Sequence, residues 1–220
     1  FPTARVLNSG VQGWNLLRAS TNGIVSSEFF PFLKSNIQEL QPDLVIYCIC
    51  FNDVPSRVEE LFSITNEKNK KRFNVIPDSA REWFKRKATY RLARDVYRHI
   101  QFDQLDYSAI PTPNDSPELW KRVSAELQAL KQVTEGAGAK MICVMLPFSY
   151  QMLPQNKELL GMNKKWQAAL TECGIPWADI TERMESGNVL EFYVFGDVVH
   201  PNEKGQALLA EAAMSLIKKL

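Results

Sequence analysis

An acid and an imidazole stand three residues apart in Asp197-Val198-Val199-His200, directly before Pro201-Asn202 and an Ala/Leu-rich stretch that runs to Leu220. The chain has only one other histidine, His99. A carboxylate beside an imidazole can fix the ring tautomer and stabilise the imidazolium that forms when the ring takes a proton. That is the acid–base half of a hydrolytic triad. The same spacing also suits a plain surface turn ahead of a helix, so the pair gains meaning only from what stands elsewhere in the chain. A triad also needs a nucleophile, and no serine here occupies an obvious nucleophile turn.

Two further stretches bear on the pair. Asn8-Ser9-Gly10-Val11-Gln12-Gly13-Trp14-Asn15 follows the short apolar run Val6-Leu7. Phe51-Asn52-Asp53 ends the long apolar run Leu44-Val45-Ile46-Tyr47-Cys48-Ile49-Cys50. In this order, with Pro42-Asp43 leading into the second run and Asp197-x-x-His200 last, the sequence resembles the SGNH (GDSL-type) hydrolases. That family carries a glycine after its second strand, an asparagine after its third and an Asp-x-x-His near its C-terminus. The resemblance implies a flavodoxin-like three-layer α/β sandwich with a parallel sheet. It implies acyl-ester hydrolysis without metal or organic cofactor. It assigns Asp197 and His200 as catalytic, and the Gly10 backbone N–H and Asn52 amide as the oxyanion hole. Cys50 stands where the family has a glycine in its third block, a departure that implies a tighter oxyanion pocket and an altered substrate preference.

In the family the catalytic serine follows the first strand, ahead of the glycine block. On that order the nucleophile is expected before Phe1. Ser9 is the alternative, since it too follows a short apolar run, but residues 10–15 are similar to the family's second block. In the strand order 2-1-3-4-5 the first strand lies between the second and third. Without it, a strand at residues 5–7 has no neighbour, and buried unpaired backbone groups cost about 1–3 kcal/mol each. The expectation is therefore a domain whose first strand is missing from this sequence and is supplied by an N-terminal segment or a second chain, residues 1–220 alone being inactive. Three functions fit: a serine-dependent hydrolase of small acyl esters, with a carbohydrate O-acetyl group as one candidate substrate; a non-catalytic binding module on the same fold; or an O-acyltransferase.

The elements that must position these residues follow from patterning. At 220 residues, 45% hydrophobic and 23% charged, the chain suits one domain with a sizeable core. A net charge of +1 argues against a nucleic-acid partner. No apolar run reaches the roughly 20 residues of a membrane span. Phe1-Pro2-Thr3-Ala4-Arg5 leads straight into a strand and is not a signal peptide. The four cysteines lack metal-site spacing and read as buried free thiols, which points to a reducing, cytoplasmic compartment. Strands are expected at 5–7, 44–51, 140–146 and 175–180, with 44–51 buried on both faces. A largely helical stretch is expected to follow the Gly10/Gly13 turn and to run through Phe29, Phe32, Leu33, Ile37 and Leu40, interrupted at Pro31; further helices are expected at 117–135, 161–173 and 201–220, the last with Asn202 as its N-cap. This alternation implies α/β architecture with functional residues at the C-terminal ends of parallel strands.

Residues 54–116 break the alternation and read as a helical, basic insertion. Ser79-Ala80-Arg81-Glu82 has the form of a capping box. The helix it opens carries Arg81, Lys85, Arg86, Lys87, Arg91, Arg94 and Arg98, with Trp83, Phe84, Ala88, Leu92 and Val96 expected on its buried face. Such a basic face can meet an anionic surface or simply be solvated.

Overall fold

The computed structural model describes residues 5, 16–20, 23–26, 29–50, 53, 87–101, 116–185, 188–195, 197 and 199–220. The expected strand at 5–7, the Asn8–Asn15 block with Ser9 and Gly10, Asn52, and the Ser79 capping box lie wholly or largely outside them.

Among the described residues three strands form a parallel sheet in the order β3 (Leu44–Ile49), β4 (Lys140–Met145), β5 (Trp177–Asp179). Leu44 pairs with Lys140 and Ile49 with Met145; Cys143 pairs with Trp177. The central strand β4 shows why helices must cover both sides. Met141, Cys143 and Met145 point into one core, while Ile142 and Val144 point into the other. This is the two-residue alternation of a strand buried on both faces.

The first core is closed by α1 (Phe29–Leu40), α3 (Pro117–Gly136) and α4 (Gly161–Glu172), through Leu33, Ile37, Leu127, Leu130, Trp166 and Leu170. Trp120 meets Trp166 edge to face at 5.6 Å, joining α3 to α4. The second core is closed by α5 (Thr181–Glu185) and α6 (Glu203–Ile217), through Met184, Ala212, Ala213 and Leu216. Helix, sheet and helix thus form the three-layer α/β sandwich expected from the sequence.

Local chemistry sets the element ends. The Ser116 hydroxyl accepts from Leu119 N–H at 3.1 Å and Pro117 opens α3, as a capped helix start requires. Gly138, at φ 82°, turns the chain from α3 into β4 in the left-handed region. Gln41 takes the same region, at φ 43°, to end α1 ahead of Pro42.

Four expectations are corrected. The segment leading to α1 is not helical: β1 (Leu17–Ser20) and β2 (Gly23–Ser26) pair antiparallel, with branched Ile24 and Val25 favouring extended backbone. Pro31 does not interrupt α1. It sits in the first turn, where a missing N–H breaks no helical bond. β3 is not buried on both faces: Tyr47 and Ile49 enter the first core, but Ile46 is 45% exposed and Cys48 is exposed, because α6 lies over β4 and β5. The basic helix α2 (Ala88–Gln101) does not bury its apolar stripe. Ala88, Leu92, Val96 and Ile100 are exposed, and no residue of α2 joins either core among the described residues.

All four cysteines are free; Cys143 and Cys173 are buried, Cys50 is half-buried and Cys48 exposed. Burying all four as expected fails at Cys48 for the same reason as at Ile46.

Candidate active site

Asp197 and His200 sit on a short excursion between α5 and α6. A 3-10 turn (Val189–Phe192) leads to Tyr193, which pairs with Pro201 in an isolated antiparallel bridge. Val194 N–H donates to His200 O at 2.9 Å, and Asp197 N–H to Val194 O at 2.8 Å. The Asp197–His200 segment is therefore a loop closed at its neck by backbone bonds.

Asp197 organises the tip of that loop. Its Oδ2 lies 2.8 Å from His200 Nδ1. Its Oδ1 accepts from Val199 N–H at 2.8 Å and His200 N–H at 3.0 Å. One carboxylate thus fixes both the ring and the backbone of His200. Partial burial works to raise the Asp197 pKa, but these three bonds and the nearby imidazole outweigh it and hold the carboxyl below the ordinary value. Ionised Asp197 accepts from Nδ1–H, which leaves the lone pair on Nε2. The His200 side chain is 66% exposed, so the ring can be reached from solvent.

Asn202 holds the neck of the loop with its side-chain and backbone N–H groups. Its Nδ2 donates to Glu191 O at 2.8 Å and Tyr193 O at 2.9 Å, and its backbone N–H to Phe192 O at 2.9 Å. Its Oδ1 caps α6, accepting from Lys204 N–H at 2.9 Å and Gly205 N–H at 3.2 Å. The cap expected from the sequence is present and also serves as the loop's clasp. Gly205 is required by close approach: a Cβ there would collide with the Phe192 carbonyl oxygen and come within 2.8 Å of Pro201 Cβ.

Tyr193 moors the loop to the sheet. It is 2% exposed, and its hydroxyl donates to Pro147 O, just beyond the C-terminal end of β4. Burial first, and the neighbouring Cys50 thiol second, push its pKa upward. Cys50 follows the C-terminal end of β3, so the excursion bearing His200 stands over the same rim at which β3 ends.

At that rim lies a residue to which the sequence analysis gave no role. Asp53 is 5% exposed, and its carboxylate collects three donors. Oδ1 accepts from the Tyr47 hydroxyl at 2.7 Å and Leu16 N–H at 3.2 Å; Oδ2 accepts from Cys50 N–H at 2.5 Å. Burial lifts its pKa to about 6 against the pull of those bonds. Its signal in the sequence was an acid placed directly after an eight-residue apolar stretch and Asn52.

Of the residues assigned from sequence, Asp197 and His200 are brought together. Gly10, Asn52 and the alternative nucleophile Ser9 lie outside the described residues. Among the described residues no cluster of His, Cys, Asp or Glu is arranged to hold a metal ion. Among them, too, no helix is long and apolar enough to cross a membrane.

Comparison with known families matches residues 3–213 to the GDSL-like Lipase/Acylhydrolase family. The chain belongs to that family. Its members as a class are ester and acyl hydrolases, and the α/β sandwich found here is their fold. No curated protein and no solved structure matches the chain significantly.

Proposed function

We propose that this chain carries the acid–base pair and the oxyanion donors of a serine-dependent hydrolase of small acyl esters. The observation that carries the reading is the 2.8 Å contact between Asp197 Oδ2 and His200 Nδ1 in a member of an acylhydrolase family. In the proposed reaction His200 Nε2 takes the proton of a serine hydroxyl as that oxygen attacks the ester carbonyl. Asp197 stabilises the imidazolium. The oxyanion is met by Gly10 N–H and the Asn52 amide, each such donor being worth about 3–4 kcal/mol in the transition state. Collapse expels the alcohol, which takes the proton from His200, and leaves an acyl-enzyme. Water, activated by His200 in turn, releases the acid.

Motif order puts the nucleophile turn ahead of the Gly10 block, with Ser9 as the alternative. A short acyl group is favoured because Cys50 narrows the pocket relative to the family's glycine. An O-acetyl group on a carbohydrate is the proposed substrate, with water rather than a sugar hydroxyl as acceptor.

The test is hydrolysis of p-nitrophenyl acetate and of O-acetylated oligosaccharides by the full-length protein and its His200→Ala variant. Turnover that disappears in His200→Ala supports the reading. Turnover that survives the substitution, or none in the full-length protein, overturns it. Fluorophosphonate labelling with peptide mapping then identifies the serine. Label on a serine outside residues 1–220 fits motif order, and label on Ser9 makes Asn8-Ser9-Gly10 the nucleophile turn instead.

A further inference from the structure

We propose that α2 is an interfacial helix, which lays its apolar stripe into an anionic lipid surface and holds the protein there.

The helix is two-sided, and its apolar side faces solvent. Leu92, Val96 and Ile100 recur every four residues, which stacks them along one side. Leu92 is 60% exposed, Val96 38% and Ile100 67%. Ala88 and Ala93, on either flank of the stripe, are exposed as well. Aliphatic side chains exposed singly are ordinary, but three in register on one helix make a patch that marks an interaction site.

The charge on the same helix is mostly of one sign. Ala88–Gln101 contains Arg91, Arg94 and Arg98 against the single acid Asp95. Lys87, directly before the helix, and Arg91 are exposed. Arg91 precedes Leu92 by one residue, which sets it about 100° round the helix, at the border of the stripe. The whole chain has a net charge of only +1, so the excess of cations is local to this helix.

The two features together select the partner. A bilayer with anionic headgroups offers hydrocarbon to the stripe and phosphates to the cations, whose long stems reach back from the boundary. An acidic polymer would meet the arginines and leave the stripe in water. A second copy docked stripe to stripe would cover the aliphatics but bring two cation-rich helices together. The helix has 14 residues, including three arginines and an aspartate, so it lies in the plane of the surface. A span needs about 20 apolar residues.

The experiment is co-sedimentation of the full-length protein with vesicles of phosphatidylcholine alone and of phosphatidylcholine mixed with phosphatidylglycerol. The variants are Leu92→Glu/Ile100→Glu and Arg91→Glu. Binding to the mixed vesicles should be at least about tenfold tighter than to the neutral ones and should weaken with added salt. Leu92→Glu/Ile100→Glu should lower binding by at least about tenfold, since the stripe supplies the buried apolar area. Its Tm should be unchanged, because both side chains face solvent in the folded protein. Arg91→Glu reverses one charge and should weaken binding to the mixed vesicles by about tenfold or more. Native binding by either variant overturns the proposal. A double variant that fails to fold, or melts well below the parent, overturns it too, by showing that the stripe is packed. Absence of binding to the mixed vesicles also overturns it, and two measurements then name the occupant. Heparin binding that needs Arg91 but not Leu92 and Ile100 identifies an acidic polymer. A dimer in sedimentation equilibrium that Leu92→Glu/Ile100→Glu dissociates identifies a second copy of this chain.

Discussion

The Tyr193 hydroxyl donates to the carbonyl oxygen of Pro147, so the loop bearing His200 is tied to the end of the central strand. Pro147 follows β4, whose residues 141–145 are all buried. The acid–base loop is otherwise exposed at its tip, with the His200 side chain 66% accessible. An exposed ring proposed as the catalytic base needs a rigid support, and the buried strand β4 supplies it.

Tyr193→Phe tests that mooring. It removes one buried hydroxyl and leaves the ring in the second core, so Pro147 O loses its described partner. We expect a loss of about 1–3 kcal/mol in stability, the cost of an unsatisfied buried group. Because the bond also fixes the loop, kcat should fall several-fold. Urea unfolding and ester turnover measured on the same preparation check both, and an unchanged Cm sinks the mooring argument.

Gly205→Ala tests the other end of the loop. The added methyl meets the Phe192 carbonyl, which is backbone and cannot rotate away. Either α6 shifts along its axis or the neck of the loop opens. Overpacking of this kind costs about 1–3 kcal/mol, and both relaxations move Asn202, which clasps the neck. We expect a lowered Tm together with weaker turnover. A Gly205→Ala protein with native Tm and rate shows that the neck tolerates the methyl.

The legible parts of this fold were those that one local signal decides. The helix expected from Pro117 opens there, and Asn202 caps the last helix as the sequence suggests. The apolar run at 140–146 became the central strand because both its faces are covered. The similar run at 44–51 was misread for want of one fact: which strand each helix covers. Nothing local says that α6 lies over β4 and β5 and leaves Ile46 exposed. Leu92 and Val96 were misread in the same way, since periodicity identifies an apolar face but not whether anything packs on it. In the site, the Asp197–His200 pair was readable because both partners lie within four residues. Asp53 was not, because its partners Leu16, Tyr47 and Cys50 come from three places along the chain.

Asp53 should give folding a distinctive pH dependence. Its carboxyl titrates near 6 in the folded protein, against about 3.9 in an unfolded chain. Between those values the folded state binds a proton that the unfolded state does not. Its contribution is fully present below about pH 4 and is lost as pH rises through 6, reaching about 3 kcal/mol at most. Asp197 works the other way. Its lowered pKa contributes stability above the unfolded value and loses it as the pH falls through the folded one. Urea midpoints should therefore rise from pH 7.5 to pH 5. That rise should vanish in Asp53→Asn; parallel slopes in the two proteins would show that Asp53 does not titrate in this range.

Asp197→Asn separates the two things Asp197 does for His200. The Oδ1 position receives two backbone N–H groups, and an asparagine can keep its amide oxygen there. The loop should then hold its shape. The NH2 group falls opposite His200 Nδ1, which must become an acceptor, and the ring proton moves to Nε2. In that tautomer Nε2 cannot take the proton of a serine. We expect turnover to fall by roughly 10²–10⁴ with KM little changed, the upper end being the loss known for the same tautomer error in a serine protease. Because an asparagine does not titrate, the part of acid sensitivity that Asp197 confers should also disappear. A variant that keeps native turnover would show that His200 is an exposed surface histidine and not the catalytic base.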